Sequence, residues 1–105
     1  MYTRNVSMKL KVNCASEFTR TLENEVIPML RKQKGFRDEI TLVAPERNEV
    51  VAISFWDRKE DAESYNREKY PEILKTLSKV VEGTPRVESF EVANSTSHQI
   101  AAKAA

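Results

Sequence analysis

Val50-Val51-Ala52-Ile53-Ser54-Phe55-Trp56 is the stretch on which the fold turns. It is β-branched and aromatic, and apolar at nearly every position rather than at alternate ones. Such a strand has both faces covered. Ile40-Thr41-Leu42-Val43-Ala44 lies before it, across the polar, turn-rich Pro45-Glu46-Arg47-Asn48-Glu49. The two strands therefore read as a hairpin. Two helices are the most that the rest of the chain supplies, enough to cover one face of a sheet. The other face calls for a partner, most simply a second copy of the chain.

Outward from the hairpin, the pattern is symmetrical. Residues 2–12 alternate: Tyr2, Val6, Met8, Leu10 and Val12 point one way, with Arg4 the exception, and Thr3, Asn5, Ser7, Lys9 and Lys11 the other. This is a first strand. Ser16 is placed to cap a helix whose stripe is Phe18, Leu22, Val26, Met29 and Leu30, running from about Glu17 to Lys34. Pro28 predicts a kink near Asn24, and Gly35 a stop. After the hairpin, Asp57 with Glu60 resembles a capping box. The second helix runs through Ala62, Tyr65 and Asn66 to about Tyr70 and breaks at Pro71. A further stripe of Ile73, Leu74, Leu77, Val80 and Val81 ends at Gly83. Arg86 to Val92 reads as a last strand. The order β-α-β-β-α-β predicts an α+β fold: a ferredoxin-like sandwich with a four-stranded antiparallel sheet. Residues 1–93 form its one domain, and 94–105 a tail that is flexible or docks on a partner chain.

Composition narrows the function. The chain has 105 residues, 17 Lys+Arg against 16 Asp+Glu, and a net charge of +1. That balance argues against a nucleic-acid partner, which calls for excess cations. No apolar run reaches the ~20 residues of a membrane span, and no signal peptide is evident. One cysteine, Cys14, fits a reducing cytoplasm and reads as a small core filler. With one histidine, His98, a protein-only zinc site is not expected. Arg58 with Asp61, and Glu63 with Arg67, stand at helical pair spacing on a solvated face.

The element order, with Gly35-Phe36-Arg37 after the first helix, Phe55-Trp56-Asp57 leading into the second and Glu82 to Glu88 linking to the last strand, resembles the antibiotic biosynthesis monooxygenase domain family. The resemblance spans about Tyr2 to Val92 and implies a homodimeric α+β barrel. It implies a cofactor-independent monooxygenase acting on a small electron-rich aromatic, quinol- or anthrone-like. A non-catalytic dimeric small-molecule-binding protein on the same fold is the alternative, and a haem-binding or haem-degrading protein the less favoured one. In the haem-degrading branch, the strand asparagine matches Asn5, while the helix tryptophan and histidine fall on Tyr65 and Lys75. A protonated lysine has no lone pair for iron. His98, in the tail, would have to reach into the site. No cofactor and no metal are therefore expected.

Oxygenation without a cofactor calls for a dry pocket, a base and oxyanion donors. The expected site is Asn5 as amide donor, Tyr65 and Lys75 managing the proton, and Phe55 and Trp56 as an aromatic wall. Tyr65 serves as a base only with a lowered pKa.

Overall fold

The computed structural model describes residues 1–97. His98 and the rest of the expected tail lie outside the described residues. The elements are β1 (Tyr2–Leu10), α1 (Ala15–Thr21), a π-helical turn (Leu22–Val26), α2 (Ile27–Arg31), β2 (Phe36–Ala44), a 3-10 turn (Pro45–Arg47), β3 (Glu49–Trp56), α3 (Lys59–Glu68), α4 (Tyr70–Leu77) and β4 (Val81–Glu91). The sheet is antiparallel in the order β2-β3-β1-β4, the ferredoxin-like arrangement.

The kink at Pro28 takes the form of the π turn. Ile27 N–H bonds Leu22 O, five residues back. The wider turn accommodates the ring and missing donor of Pro28 one residue later. α1 begins at Ala15 with Cys14 at the cap position, so Ser16 lies inside the first turn rather than capping it. α3 begins at Lys59 behind an extended Arg58, without a side-chain cap. Asp57 does not cap it because its carboxylate accepts from Arg37 Nε instead. Arg58 and Asp61 pair at 3.9 Å, but Glu63 pairs with Lys59 at 3.8 Å rather than with Arg67. The break before Pro71 falls at Lys69. α4 ends at Leu77, earlier than the apolar stripe suggested. Val80 sits in the turn, its carbonyl accepting from Lys11 N–H at 2.9 Å, and Val81 starts β4. Both valines are buried by pairing with the end of β1 rather than on a helix face.

The core lies between the helices and one face of the sheet. Val6, Met8 and Leu10 of β1 and Val50 and Trp56 of β3 meet Phe18, Leu22, Val26, Leu30, Tyr65, Ile73 and Leu77. Trp56 is fully buried, 5.6 Å from Phe36 and 5.0 Å from Tyr65 between ring centroids. The opposite face of the sheet carries no helix. Strand pairing places Ile40, Leu42, Val51, Ile53, Phe55 and Phe90 on it. Ile40, Leu42 and Phe90 are exposed.

Gly35 fixes the entry to β2. Its φ is +78°, and a Cβ there would lie 2.1 Å from Asp61 Oδ2. Gly83 has φ +72° with nothing within 4 Å of a Cβ. Gly35→Ala is therefore expected to cost about 2–3 kcal/mol, the left-handed penalty plus the clash. Gly83→Ala should cost only the backbone part, about 1–2 kcal/mol. Urea unfolding of the two variants measures the difference; equal losses would refute the clash with Asp61.

Candidate active site

Between the helices and the sheet runs an apolar crevice, walled by Val6, Met8, Val26, Leu30, Leu74 and Leu77. Its cavity volume is about 40 Å³. Five polar side chains reach it: Arg4, Glu39, Ser54, Tyr65 and Tyr70.

Each is placed by local structure. Arg4 is on the same face of β1 as Val6 and Met8, and is only 4% exposed. Its guanidinium lies 5.1 Å from the Tyr65 ring centroid and 4.5 Å from that of Tyr70, and donates to Asn66 Oδ1 at 2.9 Å. The cation thus stacks on ring faces. Burial pushes it below its ordinary pKa, and the two tyrosines partly offset this. The Tyr70 hydroxyl is buried beside the Arg4 guanidinium. Ser54 Oγ accepts from Trp56 Nε1 at 2.9 Å, which leaves its own proton for another acceptor.

Glu39 owes its orientation to a bulge. Phe36 pairs with Trp56, but Asp38 pairs with Phe55, so one extra residue enters β2. The shift turns Glu39, opposite Ser54, toward the helices. Half-burial raises its pKa, a hydrogen bond from Thr41 Oγ1 at 2.6 Å lowers it, and nearby Asp38 raises it; the net direction is upward.

Of the residues expected from the sequence, only Tyr65 reaches the crevice. Burial is the largest influence on its phenol and drives the pKa up, with Arg4 opposing and Tyr70 and Glu39 adding to it. That is the reverse of what a base requires, so Tyr65 stays a proton donor. Asn5 pairs with Ile53 and Glu88, on the helix-free face, and its Oδ1 is buried without a partner. Phe55 is on that face too, opposite Thr3. Trp56 is core behind Tyr65 rather than crevice wall. Lys75 is exposed on α4, away from the crevice lining. Its neighbours Ile73, Leu74 and Leu77 take the inward positions of that helix.

Glu39 and Arg4 were missed by sequence reasoning. Arg4 carried a signal, as the one charged residue on an apolar strand face. Glu39 carried none, because its inward turn depends on the bulge.

No family model matches the sequence, and no curated protein matches it. Solved structures do. A monooxygenase from the gene ActVA-Orf6 of Streptomyces coelicolor, in complex with nanaomycin D, superposes with TM-score 0.76 at 13% identity, covering 90% of this chain and 88% of that one. SnoaB from Streptomyces nogalater, a cofactor-independent oxygenase in mutant form, gives TM-score 0.75 at 14% identity over 92% and 97%. A candidate antibiotic biosynthesis monooxygenase from Nitrosomonas europaea gives 0.73 at 14% over 90% and 100%. The fold is that of the antibiotic biosynthesis monooxygenases. At these identities the likeness establishes the antibiotic biosynthesis monooxygenase fold and leaves the chemistry to this chain's own side chains. Among the described residues, no helix is long and apolar enough to cross a membrane.

Proposed function

We propose that the chain is a cofactor-independent monooxygenase acting on a small electron-rich aromatic, anthrone- or quinol-like, in the crevice. The observation that carries this reading is a carboxylate of raised pKa facing into an apolar crevice beside a protonated phenol. Glu39 takes a proton from the substrate. The resulting carbanion or phenolate is electron-rich and gives an electron to dioxygen. Recombination forms a peroxide anion on carbon. For an anthrone, loss of water from it leaves a carbonyl, so that CH2 and O2 become C=O and H2O. The substrate supplies all the electrons, and Glu39 returns its proton to the departing oxygen. Tyr65 and Ser54 are the donors available to the oxyanion.

The reading includes a homodimer. The helix-free sheet face carries Ile40, Leu42, Val51, Ile53, Phe55 and Phe90, apolar surface that a two-fold copy would cover.

An oxygen electrode tests the activity with anthrones and hydroquinones in metal-chelated buffer. Oxygen and anthrone should be consumed in equal molar amounts, well above the rate of autoxidation. Saturable binding of the same compounds without uptake would replace this reading with the non-catalytic binding protein.

A further inference from the structure

Arg4 is a buried cation without a counter-ion. Among the described residues it forms no ion pair, and its hydrogen bond goes to the neutral amide of Asn66. A guanidinium has five in-plane donors. Tyr65 and Tyr70 lie against it, and among the described residues besides Asn66 only the neutral Tyr70 hydroxyl engages its donors. A charge removed from water in this way is costly unless something pairs with it. The adjacent Tyr70 hydroxyl is buried as well. Both groups border the crevice, which Val26, Leu74 and Leu77 line with apolar side chains.

We propose that the crevice takes a hydroxyaromatic carboxylate, its carboxylate on Arg4 and its ring between Val26, Leu74 and Leu77. The inference rests on the reading of the crevice as the site and narrows its substrate class. A planar guanidinium fork matches a carboxylate, and the fixed anion orients the ring. The hydroxyl end is then free to meet Glu39. Arg4 also borders a second hollow with Tyr2, Asn66 and Ser89, between α3 and the β1–β4 edge. The test must separate the two.

Calorimetric titration at pH 7 and low salt compares 6-hydroxy-2-naphthoate with 2-naphthol, which lacks the carboxylate and is uncharged there. The unaltered protein should bind the carboxylate at least tenfold more tightly. Arg4→Met should reduce carboxylate affinity at least tenfold and leave 2-naphthol within threefold. Should Arg4→Met fail to fold, Arg4→Lys should retain a smaller preference for the anion. Leu74→Trp fills the crevice and should abolish binding of both probes. Equal affinities in the unaltered protein overturn the proposal. So does carboxylate binding that survives Leu74→Trp, which would place the anion in the second hollow. If neither probe binds while anthrone uptake proceeds, the anion proposal fails and the monooxygenase reading stands. If neither probe binds and there is no uptake, both fail.

Discussion

Glu39→Gln is expected to lower the rate of oxygen uptake by about a hundredfold or more, the usual worth of a positioned base. Binding of the aromatic should change by less than about threefold, because the amide keeps the shape of the carboxyl and still accepts from Thr41. The pH profile of the parent supplies a second readout. Burial holds the Glu39 pKa above its ordinary 4.5. The rate should therefore climb with pH through that raised value, as the carboxylate forms, and the climb should vanish in Glu39→Gln. Stability runs the other way. In the window between 4.5 and the raised value, the folded chain holds more of this proton than the unfolded chain does. Stability thus falls as pH rises through the window, and the loss is complete above it. Glu39→Gln removes that loss, so the variant should be at least as stable as the parent at pH 7 by urea unfolding. A variant that is both inactive and less stable would make Glu39 a structural residue. A variant with full activity would remove it from the proton transfer.

The strand that decided the fold was legible because packing leaves its mark on composition. Val50 to Trp56 alternate between the core and the helix-free face, and both positions are apolar. Pro28 and Pro71 were equally legible, since each forbids a regular backbone donor and the chain answers locally with a π turn or a break. Where the α4 stripe continued through Val80 and Val81, the sequence could not separate a helix face from a turn feeding a strand. Both bury valine. The site was less legible than the fold for a related reason. Asn5 and Arg4 are neighbours on β1, and a shift of one residue exchanges the faces of a strand. The family resemblance selected the amide, whereas the alternation had already marked Arg4 as the residue facing the core. Glu39 depends on the register shift between Phe36 and Asp38, which pairing with β3 imposes and no local pattern announces.

Ile53→Asp is expected to convert a dimer into monomers. Ile53 lies midway across the helix-free face, with Asn5 opposite on one side and Ile40 on the other. An aspartate there would be buried without a cation in each of two facing copies, and the two carboxylates would repel. Burying such unpaired charges should cost about 4 kcal/mol or more per dimer, roughly a thousandfold in its dissociation constant. The crevice lies on the other side of the sheet, so the variant's fold should survive, with helical circular dichroism unchanged. Light scattering on a sizing column, over a dilution series, reads the outcome directly. Val12→Asp is the control, because Val12 is 73% exposed and lies beyond the end of β1; its mass should match that of the parent. A parent that is monomeric at every concentration would overturn the dimer and leave Ile40, Leu42 and Phe90 as a face without a partner. A variant that stays dimeric would move the interface to another surface. Retention of oxygen uptake by a monomeric Ile53→Asp would show that each crevice works alone, as expected from a site whose polar groups all come from one chain.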